Sequence, residues 1–399
     1  MDTLLRLEDL TMHYKTKAGW VQAIDSVSFS LARGQSLGLV GESGCGKTSI
    51  AMSIMRLLPY NAELRKGRVL FGGHDLYALS DEEVRQLRWK EVAMIFQAAM
   101  NSLNPVYSVG NQIVEAIVTH EPETDEDEAR ERVKSLFELV GIPKERMDHY
   151  PHEYSGGMKQ RAVIAMALAC NPRLIIADEP TTALDVIVQD KILREIEEIR
   201  RKINMSMIYI SHDVSVIAEV SDIVGVMYAG KLLELGPADD VFKRPKNPYT
   251  YSLMHAYPSI LGEKHDLVTI PGEPPNLLDP PTGCRFHPRC DWATKECREA
   301  EPPWREITKG HYLACHNPVR TEQNATRKHM TAKGQKAQNE TSQNVNTQNA
   351  NARKANTRNT TPGNTAATSM NTQNGIAHNE TTRRAPGKGG DGIGTSGGN

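Results

Sequence analysis

Between the apolar run Ser36-Leu37-Gly38-Leu39-Val40 and the stretch from Lys47 to Leu58 stand eight residues, Gly41-Glu42-Ser43-Gly44-Cys45-Gly46-Lys47-Thr48. The run before them fits a buried strand, and apolar residues recur at helical spacing after them. A strand, a three-glycine turn and a helix in this order restrict the chain to an α/β core. The turn fits G-x-x-x-x-G-K-[ST]. Its glycines let the backbone curl so that successive N–H groups aim at phosphate oxygens, and the helix start adds partial positive charge. Ser43, Gly44, Cys45, Gly46 and Ser49 belong to this cradle. Lys47 is placed to reach the β- and γ-phosphates, and the Thr48 hydroxyl to hold Mg²⁺. With strand before and helix after, the turn reads as a nucleotide site for ATP and Mg²⁺.

Two further strand-like runs end in polar groups. Residues 173–179, RLIIADE, finish in two carboxylates. Asp178 is suited to hold Mg²⁺ through water. Glu179, one residue on, points differently and is suited to polarise a water for in-line attack on the γ-phosphate. Residues 206–213, SMIYISHD, place His212 where it could contact the γ-phosphate and orient that water. Residues 154–172 begin with a hydroxyl and two glycines and continue as a helix with Ala162, Ala165, Met166 and Ala169 on its packed faces. Ser155-Gly156-Gly157 is thus a second possible phosphate cradle. One chain does not need two cradles for one γ-phosphate. If a second subunit faces the first, each ATP lies between the phosphate turn of one and this helix start of the other, and hydrolysis separates them.

These motifs, in this order, resemble the nucleotide-binding subunits of ABC transporters. They are Tyr14, the turn at 41–48, IFQ with Gln97, YSGGMKQR at 154–161, LIIADEPTTALD at 174–185 and ISHD at 210–213. The resemblance implies that Tyr14 stacks on adenine and that Gln97 senses Mg²⁺ and the membrane partner. It also implies that Ser155 and Gly157 bind the opposite γ-phosphate and that Asp185 links the two sites. It assigns residues 1–240 to the ABC ATPase domain. That domain is expected to be a P-loop α/β core with an antiparallel β patch near the N-terminus, built from LLRLEDLTMHY and VQAIDSVSFSLARGQSLGLV. An α-helical subdomain is expected at about 98–160, receiving a coupling helix of the membrane subunit. Within it GNQIVEAIVTH and DEDEARERVKSLFELVGI read as helices with Ile113, Ile117, Val133, Phe137 and Val140 on apolar faces, and the acidic run 121–128 suits a helix start. The segment QAAMNSLNPV, 97–106, resembles the branch that imports peptides and, in some members, nickel. That branch often has Asp-Pro where Ala98-Ala99 stand.

After residue 240 the chain changes character. Eight prolines between 271 and 303 suggest a packed irregular appendage over 241–319. It carries Cys284, Cys290, Cys297 and Cys315. The spacing C-x₅-C-x₆-C-x₁₇-C lacks the close pairs of zinc sites, and all-thiolate ligation also suits an iron–sulfur cluster. Zinc, reduced thiols and a cluster all remain open from the residues alone. Similar C-terminal segments in peptide-importer ATPases carry cysteine ligands to a [4Fe–4S] cluster, and the resemblance implies one here, as a structural clip. His287, His311 and His316 read as surface or packing residues, and Cys45 and Cys170 as structural.

From residue 320 to 399 the sequence becomes Asn, Thr, Gln, Gly and Ala, too poor in large apolar groups to offset its chain entropy, and reads as disordered. It holds eleven Lys or Arg against four Asp or Glu, so the body carries the negative balance of a chain whose net charge is −2. That body is unlike the basic surface of a nucleic-acid binder. No apolar run approaches the ~20 residues that span a bilayer, and no leader opens the chain. The expected location is the cytoplasmic face of the membrane, peripherally bound. The expected function is that of an ATPase subunit powering uptake of di- or oligopeptides. Its expected partners are a paralogous ATPase or a second copy, two permeases and an extracytoplasmic binding protein. A nickel or other small-solute importer is the near alternative. A soluble ABC protein acting on nucleic acid or the ribosome is the distant one, disfavoured by the single phosphate turn.

Overall fold

In the computed structural model, residues 2–97, 99–180, 186–256 and 270–320 are described. The chain opens with β1 (Thr3–Thr16), β2 (Gly19–Ala32) and β3 (Ser36–Val40), then α1 (Lys47–Ile54). Next come β4 (Ala62–Phe71), β5 (His74–Asp75), α2 (Asp81–Leu87) and β6 (Val92–Ile95). Three helices follow, α3 (Val109–His120), α4 (Glu126–Leu139) and α5 (Gly156–Leu168). Then β7 (Leu174–Asp178), α6 (Val186–Ile203), β8 (Ser206–Ile210), α7 (Val214–Val220), β9 (Ile223–Tyr228) and β10 (Lys231–Pro237) complete the centre. The chain closes with α8 (Ala238–Lys243), α9 (Pro248–Ala256), α10 (Lys295–Glu299), β11 (Trp304–Thr308) and β12 (His311–Ala314).

The strands form two sheets. A four-stranded antiparallel sheet runs β2-β1-β4-β5. The expected patch is thus present, and β4 and β5 extend it. The larger sheet runs β11-β12-β10-β9-β3-β8-β7-β6, with β9, β3, β8, β7 and β6 parallel. Strands β3, β7 and β8 are buried along their whole length, as strands covered on both faces must be. Their carboxyl ends lie side by side, with Leu39 opposite Ile210 and Asp178 opposite Ile210. Polar groups that follow those ends converge in one crevice, the usual ligand position of an open parallel sheet.

The helices α3 and α4 form where their apolar faces predict. Ile113, Ile117, Val133, Phe137 and Val140 are all buried in one core with the packed face of α5. Asp125 caps α4 by accepting the Glu128 N–H at 2.8 Å, and Glu126, Asp127 and Glu128 place negative charge on its first turn.

The appendage departs from the irregular segment expected of it. Residues 304–314 form a hairpin turned at Gly310 (φ +74°), and β12 pairs antiparallel with β10, adding two strands to the central sheet. No proline falls within 304–314, so every backbone N–H there is free to join a ladder. A buried pair pins this joint. His311 Nε2 lies 2.8 Å from Glu234 Oε1, and the same carboxylate accepts the Lys246 and Asn247 N–H groups. The two side chains are 3% and 0% exposed. His311 is therefore a packing residue, as expected.

Candidate functional site

The crevice at the ends of β3, β7 and β8 is lined by the phosphate turn together with Tyr14, Gln97, Asp178, Glu179 and His212. The turn takes the curled form that its glycines allow. Gly41 (φ +148°) and Gly46 (φ +106°) occupy backbone conformations closed to most side chains. Space forbids a side chain as well. A Cβ at Gly41 would meet the Met227 carbonyl at 2.1 Å, and one at Gly46 the Ala23 carbonyl at 2.3 Å. Lys47 is buried and spans the turn, donating to the Gly41 carbonyl at 2.7 Å and to the Glu42 carbonyl at 3.2 Å. Its ammonium thus stands at the rim of the cradle. Burial raises the Cys45 thiol pKa, which suits a structural rather than a reactive cysteine.

Asp178, the last residue of β7, is buried and hydrogen-bonded to Thr48. Burial raises its pKa, and the Thr48 hydroxyl opposes that rise. A buried carboxylate beside an exposed hydroxyl is a set of hard oxygen donors, which fits Mg²⁺. Bound there, the ion would supply positive charge against the phosphates.

Glu179 follows in a left-handed conformation (φ +48°), which costs a non-glycine residue about 1 kcal/mol or more. Its N–H is fixed on the Ile210 carbonyl at 2.8 Å. The two carboxylates take different partners: Asp178 bonds to Thr48, and Glu179 to Gln97 and His212. Gln97 Nε2 donates to Glu179 Oε2 at 2.7 Å, and His212 Nδ1 lies 2.9 Å from Oε1. Two residues from separate sequence motifs thus meet on the carboxylate of a third. Tyr14 stands on β1 with its hydroxyl 3.1 Å from Ser49 Oγ, so its ring borders the cavity beside the start of α1.

Ser155, Gly156 and Gly157 do not line this cavity. Ser155 caps α5, accepting the Met158 N–H at 3.3 Å, and it and Gly156 are exposed. The second cradle thus lies on the surface, outside the first. Asp185 and Ala98 lie outside the described residues, as does the segment 321–399.

The sequence did not point to the groups that the appendage brings to this site. Leu277 lines the same cavity, held by its carbonyl to the Gln22 N–H at 2.9 Å. Arg289 reaches Glu42 inside the phosphate turn. Nothing local in sequence marks either. The one available signal was a carboxylate, Glu42, in a turn built for anions.

The four late cysteines converge on a second, small pocket and are all unpaired. Burial raises the thiol pKa of Cys290 and of Cys315 to about 12 each, and that of Cys284 upward. Backbone N–H groups face the sulfurs: Phe286 and His287 toward Cys284, Trp292 toward Cys290, Asn317 toward Cys315. Asn317 Nδ2 adds a bond to Cys297 Sγ at 3.4 Å. Among the described residues no three ligating side chains stand close enough to share a single metal ion. A single tetrahedral zinc needs all four sulfurs within ~2.3 Å of one point. His287 and His316 are engaged on carbonyls, of Cys284 and Ala300 respectively.

Comparison with known proteins agrees with this geometry. Residues 24–182 match the ABC transporter family, and residues 233–297 match the family described as oligopeptide/dipeptide transporter, C-terminal region. The oligopeptide transport ATP-binding protein OppD of Bacillus subtilis is 46% identical over 78% of this chain and 87% of its own length. The dipeptide transport ATP-binding protein DppD of Escherichia coli is 43% identical over 79% of this chain and 97% of its own. Among solved structures, cbiO1 from Clostridium perfringens, part of the ABC transporter complex cbiONQ, superposes with a TM-score of 0.54. It covers 61% of this chain and 92% of its own, at 27% identity.

Proposed function

The chain belongs to the ATP-binding subunits of ABC transporters, in the oligopeptide/dipeptide group, and on that premise we propose how its residues power uptake of di- or oligopeptides. It is an ATPase of an ABC importer. Lys47 and the N–H groups of the turn bind the triphosphate. Thr48 and Asp178 hold Mg²⁺. Glu179 takes the proton from the attacking water, His212 and Gln97 keep its carboxylate aimed, and Tyr14 borders the base. The exposed N-terminus of α5 closes on the γ-phosphate of the facing subunit, with Asp185 joining the two sites. The observation that carries this reading is the convergence of Gln97 and His212 on Glu179 at the open side of the crevice.

The facing subunit is a paralogous ATPase or a second copy. Two permeases and an extracytoplasmic binding protein complete the transporter, and the chain sits on the cytoplasmic face of the membrane. No described helix is long and apolar enough to cross a membrane, which accords with a peripheral subunit. Residues 1–240 are the ATPase domain, 98–160 its helical part, 241–319 the appendage and 320–399 a disordered tail. In the assembled transporter, ATP hydrolysis should rise several-fold on adding the binding protein loaded with a short peptide. Stimulation by nickel and not by peptide would move the cargo to the near alternative.

We propose that the four-thiol pocket holds a [4Fe–4S] cluster. The four cysteine sulfurs line one pocket, and backbone and side-chain N–H donors meet them. Cys284, Cys290, Cys297 and Cys315 would be the ligands, and the group would cross-link an appendage whose prolines keep it from building a core. The full chain, purified without air, should absorb broadly in the visible and lose that absorbance in Cys290→Ser. Stoichiometric zinc with no visible band would contradict the assignment.

A further inference from the structure

The acidic residue in the phosphate turn raises a question that the ATPase reading leaves open. Glu42 places a carboxylate next to Gly41, where a triphosphate carrying several negative charges is to bind. Like charges at that distance repel unless one is neutralised. The neutralising group comes from the far end of the chain. Arg289 Nη1 and Nη2 donate to Glu42 Oε2 and Oε1 at 2.6 and 2.9 Å, a bidentate pair with the Arg289 side chain 7% exposed. The rest of the guanidinium is also used: Nε on the Pro271 carbonyl at 2.8 Å, and Nη1 3.2 Å from the Tyr228 hydroxyl. Burial works against its charge, but the bonds and charge attraction of Glu42 and Tyr228 together outweigh burial and hold its pKa above the usual value. The Glu42 backbone is held from the same side, its N–H donating to Tyr249 Oη at 3.0 Å. Glu42's own carbonyl accepts Lys47. A short relay therefore runs from Arg289 through Glu42 to the phosphate-binding ammonium.

We propose that Arg289 is a positioning residue of the ATP site, holding the phosphate turn in shape and cancelling the Glu42 charge so that the triphosphate can enter. The ATP site is thereby completed by the appendage. Because Cys290 is the next residue, whatever occupies or oxidises the four-thiol pocket also bears on the turn. The proposal rests on the reading of residues 41–48 as an ATP site.

The test is equilibrium binding of radiolabelled Mg-ATP to the full chain, with melting temperature as the check on folding. Arg289→Met keeps the bulk of the side chain and loses the fork. It should bind ATP about tenfold more weakly or worse, because an unpaired, half-buried carboxylate remains in the turn beside the triphosphate. Adding Glu42→Gln to that variant should restore affinity to within about threefold of wild type, since coupled residues are not additive. A variant that was merely misfolded would not be rescued by a second change. Arg289→Lys keeps the charge and cannot span both oxygens, so it should fall between. Wild-type affinity in Arg289→Met or in Arg289→Lys would overturn the proposal, as would a double variant no better than Arg289→Met. Failure of the underlying site reading looks different: wild-type chain that does not bind ATP, or Lys47→Ala that binds it equally well.

Discussion

Glu179→Gln binds Mg-ATP with near wild-type affinity and hydrolyses it about a hundredfold more slowly or less, the loss that removal of a general base produces. The substitution is isosteric. Its amide oxygen can still accept from Gln97, and the backbone at 179 keeps the N–H bond to Ile210 that fixes the turn. What disappears is the ability to take a proton from water. Phosphoryl transfer depends on positioning and charge stabilisation, so the remaining groups still bind substrate and leave it unreacted. His212→Ala should cost less, since its ring orients the carboxylate rather than replacing it. Steady-state phosphate release from the assembled transporter measures both. A Glu179→Gln enzyme with wild-type turnover would remove Glu179 from the mechanism.

Ser155→Arg separates the two cradles. It leaves the turn, Lys47, Thr48 and Asp178 untouched, so the chain binds ATP as before. It costs α5 its cap, about 1 kcal/mol, a loss that a helix with this much buried surface tolerates. It also fills the exposed helix start, where backbone N–H groups would meet the facing subunit's γ-phosphate. Turnover should fall about a hundredfold or more, to the level of a site lacking its preorganised charge partners. If Ser155 only capped a helix, turnover would follow stability and change little.

Much of the site could be read from the chain because each part is a short string in one turn of structure. The glycines at 41 and 46 are needed where their carbonyl neighbours leave no room for a Cβ. Asp178 and Glu179 differ in direction because the strand ends between them, which the string ADE at an apolar run's end suggests. The contributions of Leu277, Tyr249 and Arg289 could not be read, since they lie more than 200 residues from the turn they touch. Only the unbalanced carboxylate of Glu42 pointed to a missing cation. The hairpin at 304–314 was masked by the prolines before it, although Trp304–Thr308 and His311–Ala314 flank a Lys309-Gly310 turn. The direction in which Ser155 faces is a tertiary fact. Only the fold shows Ser155 outside the cavity of the chain's own phosphate turn.

The account stands on ATP as the bond between two subunits. The direct measurement is the solution mass of the Glu179→Gln full chain, alone and mixed with the companion ATPase of its transporter, before and after adding ATP. The mass should double on ATP in one of the two arrangements, and Ser155→Arg placed in every subunit should abolish the change. A mass that stays that of one subunit in both arrangements, with ATP bound, would contradict the account.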